Sequence, residues 1–212
     1  MTSSAFQGSF YDPPYDSPIE DWFAINAIKY LDEAAQMEKQ VDAPTPWGTF
    51  RMDFLLTGGG PRVAIECDGR DYHDQYRDEW RDALLLGTNA TDTIYHFRGA
   101  DLHYHVADLL YLLMRWEPHL FSDRGKTNLA RLASAQVKQY GNTEPTGGTI
   151  IGFPPQPEYG LRGITFIDVE RRSRIIPPGR RQHWTWLYKC AQEYDQHTLD
   201  ALIEAHSASH RD

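Results

Sequence analysis

Apolar and polar positions along the chain change period several times, and each change predicts an element. Trp22, Phe23, Ala27, Tyr30, Leu31 and Ala34 recur at helical spacing, which predicts a helix with one apolar face. Ser17-Pro18-Ile19-Glu20 opens it. Ser17 can cap, Pro18 suits the first helical position and Glu20 closes a capping box. The apolar spacing carries this helix to about Lys39, ahead of Pro44 and Pro46. Residues 50–56 and 62–68 alternate as strands do, and Gly58-Gly59-Gly60-Pro61 turns the chain between them. A second helix is predicted over about 75–86, a strand over Asp92–Arg98, and a third helix over Asp101–Trp116. Residues 124–139 give a weaker helical stretch. Strand-like runs follow at Thr149–Phe153 and Gly163–Val169, and a last helix spans about Arg181 to His206.

These elements divide the chain into three parts. Residues 1–16 form an irregular N-terminal arm, 17–140 an α/β core, and 141–212 a small α+β C-terminal extension. Gly141 opens a polar Gly/Pro/Thr stretch that marks the second boundary. Apolar residues make up 41% of the chain, enough to build a core. The apolar runs are far shorter than a membrane span, and no basic-then-apolar leader is present in the first ten residues. No membrane partner or secretion is therefore expected. Two cysteines, Cys67 and Cys190, make no disulfide framework and suggest a reducing, cytoplasmic setting.

The candidate chemistry sits on the predicted hairpin. Centred on Gly59 and Gly60, the hairpin sets Asp53 opposite Glu66 and Arg51 opposite Asp68. One face then carries Met52, Phe54, Leu56, Val63, Ile65 and Cys67 and turns to the core. The other carries Arg51, Asp53, Glu66 and Asp68, with Leu55 and Ala64. Like charges set opposite each other are unfavourable. A hard divalent cation between them removes the penalty and can activate water against a phosphoryl group. The competing reading is a solvated polar face. His73 follows in the next loop, either as a group that orients water or as a surface histidine.

The string SPIE (17–20), FRMDFLL (50–56), VAIECDGRDYH (63–73), RDALLLG (81–87) and IYHFRGADL (94–102) resembles the PD-(D/E)XK nuclease superfamily, in the branch similar to very-short-patch-repair endonucleases. The resemblance covers about half the chain. It implies a restriction-endonuclease-like mixed sheet flanked by helices and a metal-dependent endonuclease that hydrolyses DNA through a metal-activated water. It implies Asp53 and Glu66 as ligands of Mg2+ or Mn2+, and Glu20 as an acid near the metal. Asp68 stands where the superfamily places lysine, so Asp68 and His73 would complete the catalytic set. Arg81 would contact phosphate, and Asp82 would hold His73 or Arg81; an ordinary helix ion pair is the alternative for both.

Charge adds a complication. The net charge of −9 argues against tight non-specific nucleic-acid binding. Yet Arg171, Arg172, Arg174, Arg180 and Arg181 fall within eleven residues. They fit a DNA-phosphate contact, a solvated hairpin end, or a docking surface for an acidic partner. A homodimer or a protein partner held by the extension is also compatible with the pattern. A catalytically inactive nuclease-fold module, serving binding or assembly, is the alternative function. His96, His103 and His105 lack the cysteine pair and the shared helix face of a zinc site.

Overall fold

Helix α1 (Pro18–Ala27) begins as its capping box predicts: the Ser17 hydroxyl accepts a hydrogen bond from the Glu20 amide at 3.2 Å. The helix stops at Ala27, well short of Lys39. In place of its predicted second half the chain turns, then forms strand β1 (Gln36–Thr45), which pairs antiparallel with β2 (Gly48–Thr57). Tyr30 and Leu31 still pack against the core, and Leu31 bridges to Phe121. Their helical spacing is thus used by a loop. Residues 36–45 follow the hydrogen-bonding edge that β2 offers, and tertiary pairing overrides local propensity. The computed structural model describes residues 11–69, 74–142, 148–153, 165–175 and 182–209.

From β2 the chain returns as β3 (Val63–Asp68), crosses over through α2 (Gln75–Gly87), and pairs parallel to β3 as β4 (Thr93–Arg98). Helix α3 (Gly99–Trp116) follows without a loop, then α4 (Asp123–Leu132) and α5 (Ala135–Tyr140). The single weak helix expected over 124–139 is two helices, because Ala133 is extended and Ser134 starts a new cap. Strands β5 (Gly148–Phe153) and β6 (Thr165–Ser173) complete a six-stranded mixed sheet in the order β1-β2-β3-β4-β6-β5. The extension therefore continues the sheet of the core, with β6 antiparallel to β4. The long final helix is also divided, into α6 (His183–Glu193) and α7 (Leu199–Ser209). The polar run at 195–198 separates them, and Thr198 accepts the first amide bonds of α7.

Helices cover both faces of the sheet, so the chain is an α/β protein of three layers. On one face Phe23, Ala24 and Ala27 of α1 and Leu109–Met114 of α3 pack on Phe54, Ile65 and Phe97. On the other, Trp80, Ala83 and Leu84 of α2 meet Leu187 and Ala191 of α6 and Leu199 and Leu202 of α7. Met52 departs from the predicted alternation. It packs with Ala64, Leu85 and Ile94 on the α2 side, whereas Phe54 packs on the α1 side. The β1–β2 register is the same on both sides, Lys39 pairing with Phe54 and Val41 with Met52, and Gln40 and Asp53 between them are left unpaired in the ladder. Gln40, left out of the pairing, has φ +52°, a left-handed conformation rare for a side chain other than glycine. Among the described residues no helix is long and apolar enough to cross a membrane.

Candidate functional site

The hairpin register agrees with the geometry expected of it. Phe54 pairs with Ile65, Leu55 with Ala64 and Leu56 with Val63, so Asp53 lies level with Glu66 as the ladder is continued. Asp53 accepts a hydrogen bond from the Cys67 amide at 2.8 Å through Oδ2. Its other oxygen takes no hydrogen bond among the described residues. Burial lifts the Asp53 carboxyl to about 6; the charges of Glu20 and Asp68 add to the rise, and the Cys67 amide and Arg81 oppose it. Glu66 is 5% exposed. Burial lifts it to about 7, with Asp53 adding and Arg81 opposing. Two carboxylates thus share a poorly solvated place with too little positive charge.

Arg81 supplies most of what there is. Its Nη2 donates to Glu66 Oε1 at 2.8 Å and to the Arg51 carbonyl at 2.6 Å. Helix α2 carries it there because Leu85 and Leu86 anchor the helix on Met52, Ala64 and Ile94 of the sheet, with Arg81 one turn before Leu85. Glu20 reaches the same region from α1. It is buried, and its Oε2 accepts from Gln40 Nε2 at 2.6 Å. The left-handed Gln40 therefore lies beside the site, as strained residues often do.

A second, connected cluster lies beneath Asp68. His96 faces Glu66 in the β3–β4 register. Its Nδ1 lies 3.1 Å from Asp68 Oδ2 and its Nε2 2.8 Å from Asp82 Oδ2. Arg172 Nη1 also bonds Asp82 Oδ2, and Arg172 Nη2 bonds Glu170 Oε2 at 2.7 Å. Burial opposes the charge of His96, yet Asp82 and Asp68 hold its pKa well above the ordinary value. Burial likewise works against Asp82, but His96, Arg172 and Arg81 together pull it down to about 2. Gly99 closes the site below: a Cβ there would meet Ile19 Cδ1 at 2.4 Å and the Asp68 carbonyl at 3.3 Å.

The predicted residues separate in this geometry. Asp53, Glu66, Asp68, Glu20 and Arg81 come together. His73, Arg180 and Arg181 lie outside the described residues. Among the described residues Asp82 makes no hydrogen bond to Arg81; its partners there are His96 and Arg172. The arginine cluster does not form one surface. Arg171 is 6% exposed and points to the opposite face, donating to Tyr95 Oη at 2.8 Å and Glu117 Oε1 at 3.0 Å. Alternation along β6 sends Arg172 to the α2 face instead. Arg174 lies 3.5 Å from Asp92. Arg171 is thus removed from any phosphate-binding surface by burial and pairing. His103 packs by Trp22 and Tyr104, and His105 stacks on Phe153. Sequence reasoning missed His96 and Gln40. His96 had one signal, a basic side chain inside the apolar strand TIYHFR. Gln40 had none, because it lies just past the predicted end of the helix at about Lys39 and no strand pattern marks residues 36–45.

Among the described residues no group of three or more His, Cys, Asp or Glu side chains is arranged to hold a metal ion. Comparison with protein-family models, with curated proteins and with solved structures returns no match.

Proposed function

We propose that this chain is a metal-dependent phosphodiester hydrolase acting on nucleic acid, with DNA as the substrate to test first. The observation that carries this is the Asp53–Glu66 pair: a half-buried and a buried carboxylate on neighbouring strands, lifted to about 6 and about 7, with one arginine bonded to Glu66. The donor set fits a hard divalent cation. Magnesium commonly uses one or two carboxylates and fills its remaining positions with water and substrate phosphate, so a pair suffices where a closed cage is absent. Asp53 and Glu66 would hold the ion, which when bound supplies Lewis acidity toward water and a phosphoryl oxygen.

The chain's own groups do the rest. Arg81 presents a planar cation suited to a phosphate oxygen. Asp68, tied through one oxygen to His96, orients the attacking water by accepting its hydrogen bond. His73 would complete the set as a group that orients water. Glu20, held by Gln40, adds negative potential beside Asp53.

Plasmid cleavage with magnesium or manganese tests this directly. The wild-type chain should nick or linearise DNA, and Asp53→Ala and Glu66→Ala should lose that activity while keeping a native circular dichroism spectrum. Cleavage that persists in both variants removes the assignment. One observation favours a second reading, a binding module without turnover: Arg81 already neutralises part of Glu66, and no lysine stands in the strand beside it. Calorimetric titration with manganese separates the two, since that module takes up no ion at millimolar concentration.

A further inference from the structure

The buried cluster under Asp68 contains more charged groups than packing requires. His96 is 7% exposed and has a carboxylate at each ring nitrogen, at 3.1 and 2.8 Å. An ionised carboxylate only accepts hydrogen bonds, so the ring satisfies both neighbours only when both nitrogens carry protons. Asp82 is fully buried and reaches the cluster from α2. One of its oxygens is shared by His96 and Arg172, and the other has no hydrogen-bond partner among the described residues. Arg172 comes from β6, the strand that the C-terminal segment adds to the sheet, and Glu170 of the same strand steadies its other nitrogen. The series Glu170, Arg172, Asp82, His96, Asp68 alternates in charge from the extension to the edge of the carboxylate pair.

A cluster meant only for stability would gain as much from well-packed apolar residues, since desolvating buried ions offsets most of their attraction. Its geometry has a different consequence. Asp68 is held from below by a donor that cannot rotate, because its second nitrogen is itself held. We propose that His96 is a positioning residue that fixes the Asp68 carboxylate beside Asp53 and Glu66, and that Arg172 of β6 acts through Asp82 to hold His96 in place. The C-terminal segment is then part of the working site. This rests on the nuclease reading for its functional consequence, but the bracket around His96 is testable without it.

The experiment uses the full chain with nitrogen-15 histidine. In the wild type at neutral pH, both ring N–H protons of His96 are observed by long-range proton–nitrogen correlation. Asp68→Ala removes the protected Nδ1 proton and leaves the one at Nε2. In DNA cleavage, Arg172→Gln remains folded by circular dichroism and loses about 10–100-fold in kcat, the usual range for a group supporting a site from behind, with KM little changed. Arg172→Lys restores most of the loss, because it keeps a cation on Asp82. The proposal is overturned if His96 carries one ring proton, if Arg172→Gln stays within about twofold of wild type in kcat, or if Arg172→Lys is as slow as the glutamine variant. Should the wild-type chain neither cut DNA nor bind manganese, the nuclease reading fails by itself. The histidine spectrum then decides the bracket: loss of the Nδ1 proton in Asp68→Ala sustains it, and an unchanged pair of signals sinks it.

Discussion

Arg171 and Arg172 are neighbours in sequence and lie back to back across the sheet, each in a buried polar cluster. Behind Arg171, Tyr95 Oη and Glu117 Oε1 close a triangle in which the three side chains satisfy one another, at 2.8, 3.0 and 2.9 Å. In front of Arg172 the network is open. It runs through Asp82 and His96 to Asp68, and beside that lie two carboxylates whose pKa stays raised although Arg81 and, for Glu66, His96 oppose the rise. One cluster is electrostatically complete and serves the fold. The other is incomplete, and an incomplete buried cluster is where a ligand gains most.

The largest expected effect breaks the complete cluster. Arg171→Met should cost about 3–5 kcal/mol in urea denaturation, the range for leaving a buried charge unpaired, because Glu117 and the Tyr95 hydroxyl lose their shared partner. Manganese binding by the folded fraction should not change. A cost as small as that of a surface pair would remove the distinction between the two faces.

The incomplete cluster should answer in the opposite direction. Between about pH 4 and 7 folded Asp53 and Glu66 keep protons that the unfolded chain has released, because their pKa values rise from 3.8 and 4.5 to about 6 and about 7. Stability therefore falls as pH rises through that window. Asp53→Asn keeps the acceptor for the Cys67 amide and removes the charge. Above pH 7 it should stabilise the chain by about 2–3 kcal/mol, at 1.36 kcal/mol per pKa unit, with the gain shrinking toward pH 4. Urea unfolding across that pH range measures it. Manganese should produce the same stabilisation in wild type and not in Asp53→Asn. Its affinity should rise from pH 6 to 8, since the ligands must first lose their protons.

Arg172→Gln should cost less than Arg171→Met, about 1–2 kcal/mol, because His96 still holds Asp82 and glutamine can still donate. The smallest effect concerns Gln40. Gln40→Ala keeps the left-handed backbone and loses the bond to Glu20, and should cost about 0.5–1.5 kcal/mol. Gln40→Gly relieves the backbone, worth about 1–2 kcal/mol, and should come out near wild type. Thermal melts of the pair show whether strain or the Glu20 contact dominates there.

Glycine, proline and strict alternation made the hairpin readable. Gly58–Pro61 set the turn, and a turn sets register, so Asp53 and Glu66 fall level when counted outward from it. The capping box at Ser17 and the spacing of α2, β4 and α3 were equally local signals. Where local signals competed with pairing, the sequence misled: Tyr30, Leu31 and Ala34 have helical spacing, yet the chain beyond them joins β2 as an edge strand. The arginine cluster failed for another reason. Five arginines look like one patch in sequence, but residues one apart on a strand face opposite sides of the sheet.

By itself, then, the sequence determined the order of the elements from β2 to α3 and the carboxylate pair, because periodicity, caps and turns act over a few residues. Only the tertiary structure decided which side chains share a low-dielectric space. It placed His96 between Asp68 and Asp82, brought Arg172 to them from a strand 76 residues further on (96 to 172), and turned Arg171 away. Those choices depend on sheet order and on which face each residue meets, and both are fixed by contacts between distant parts of the chain.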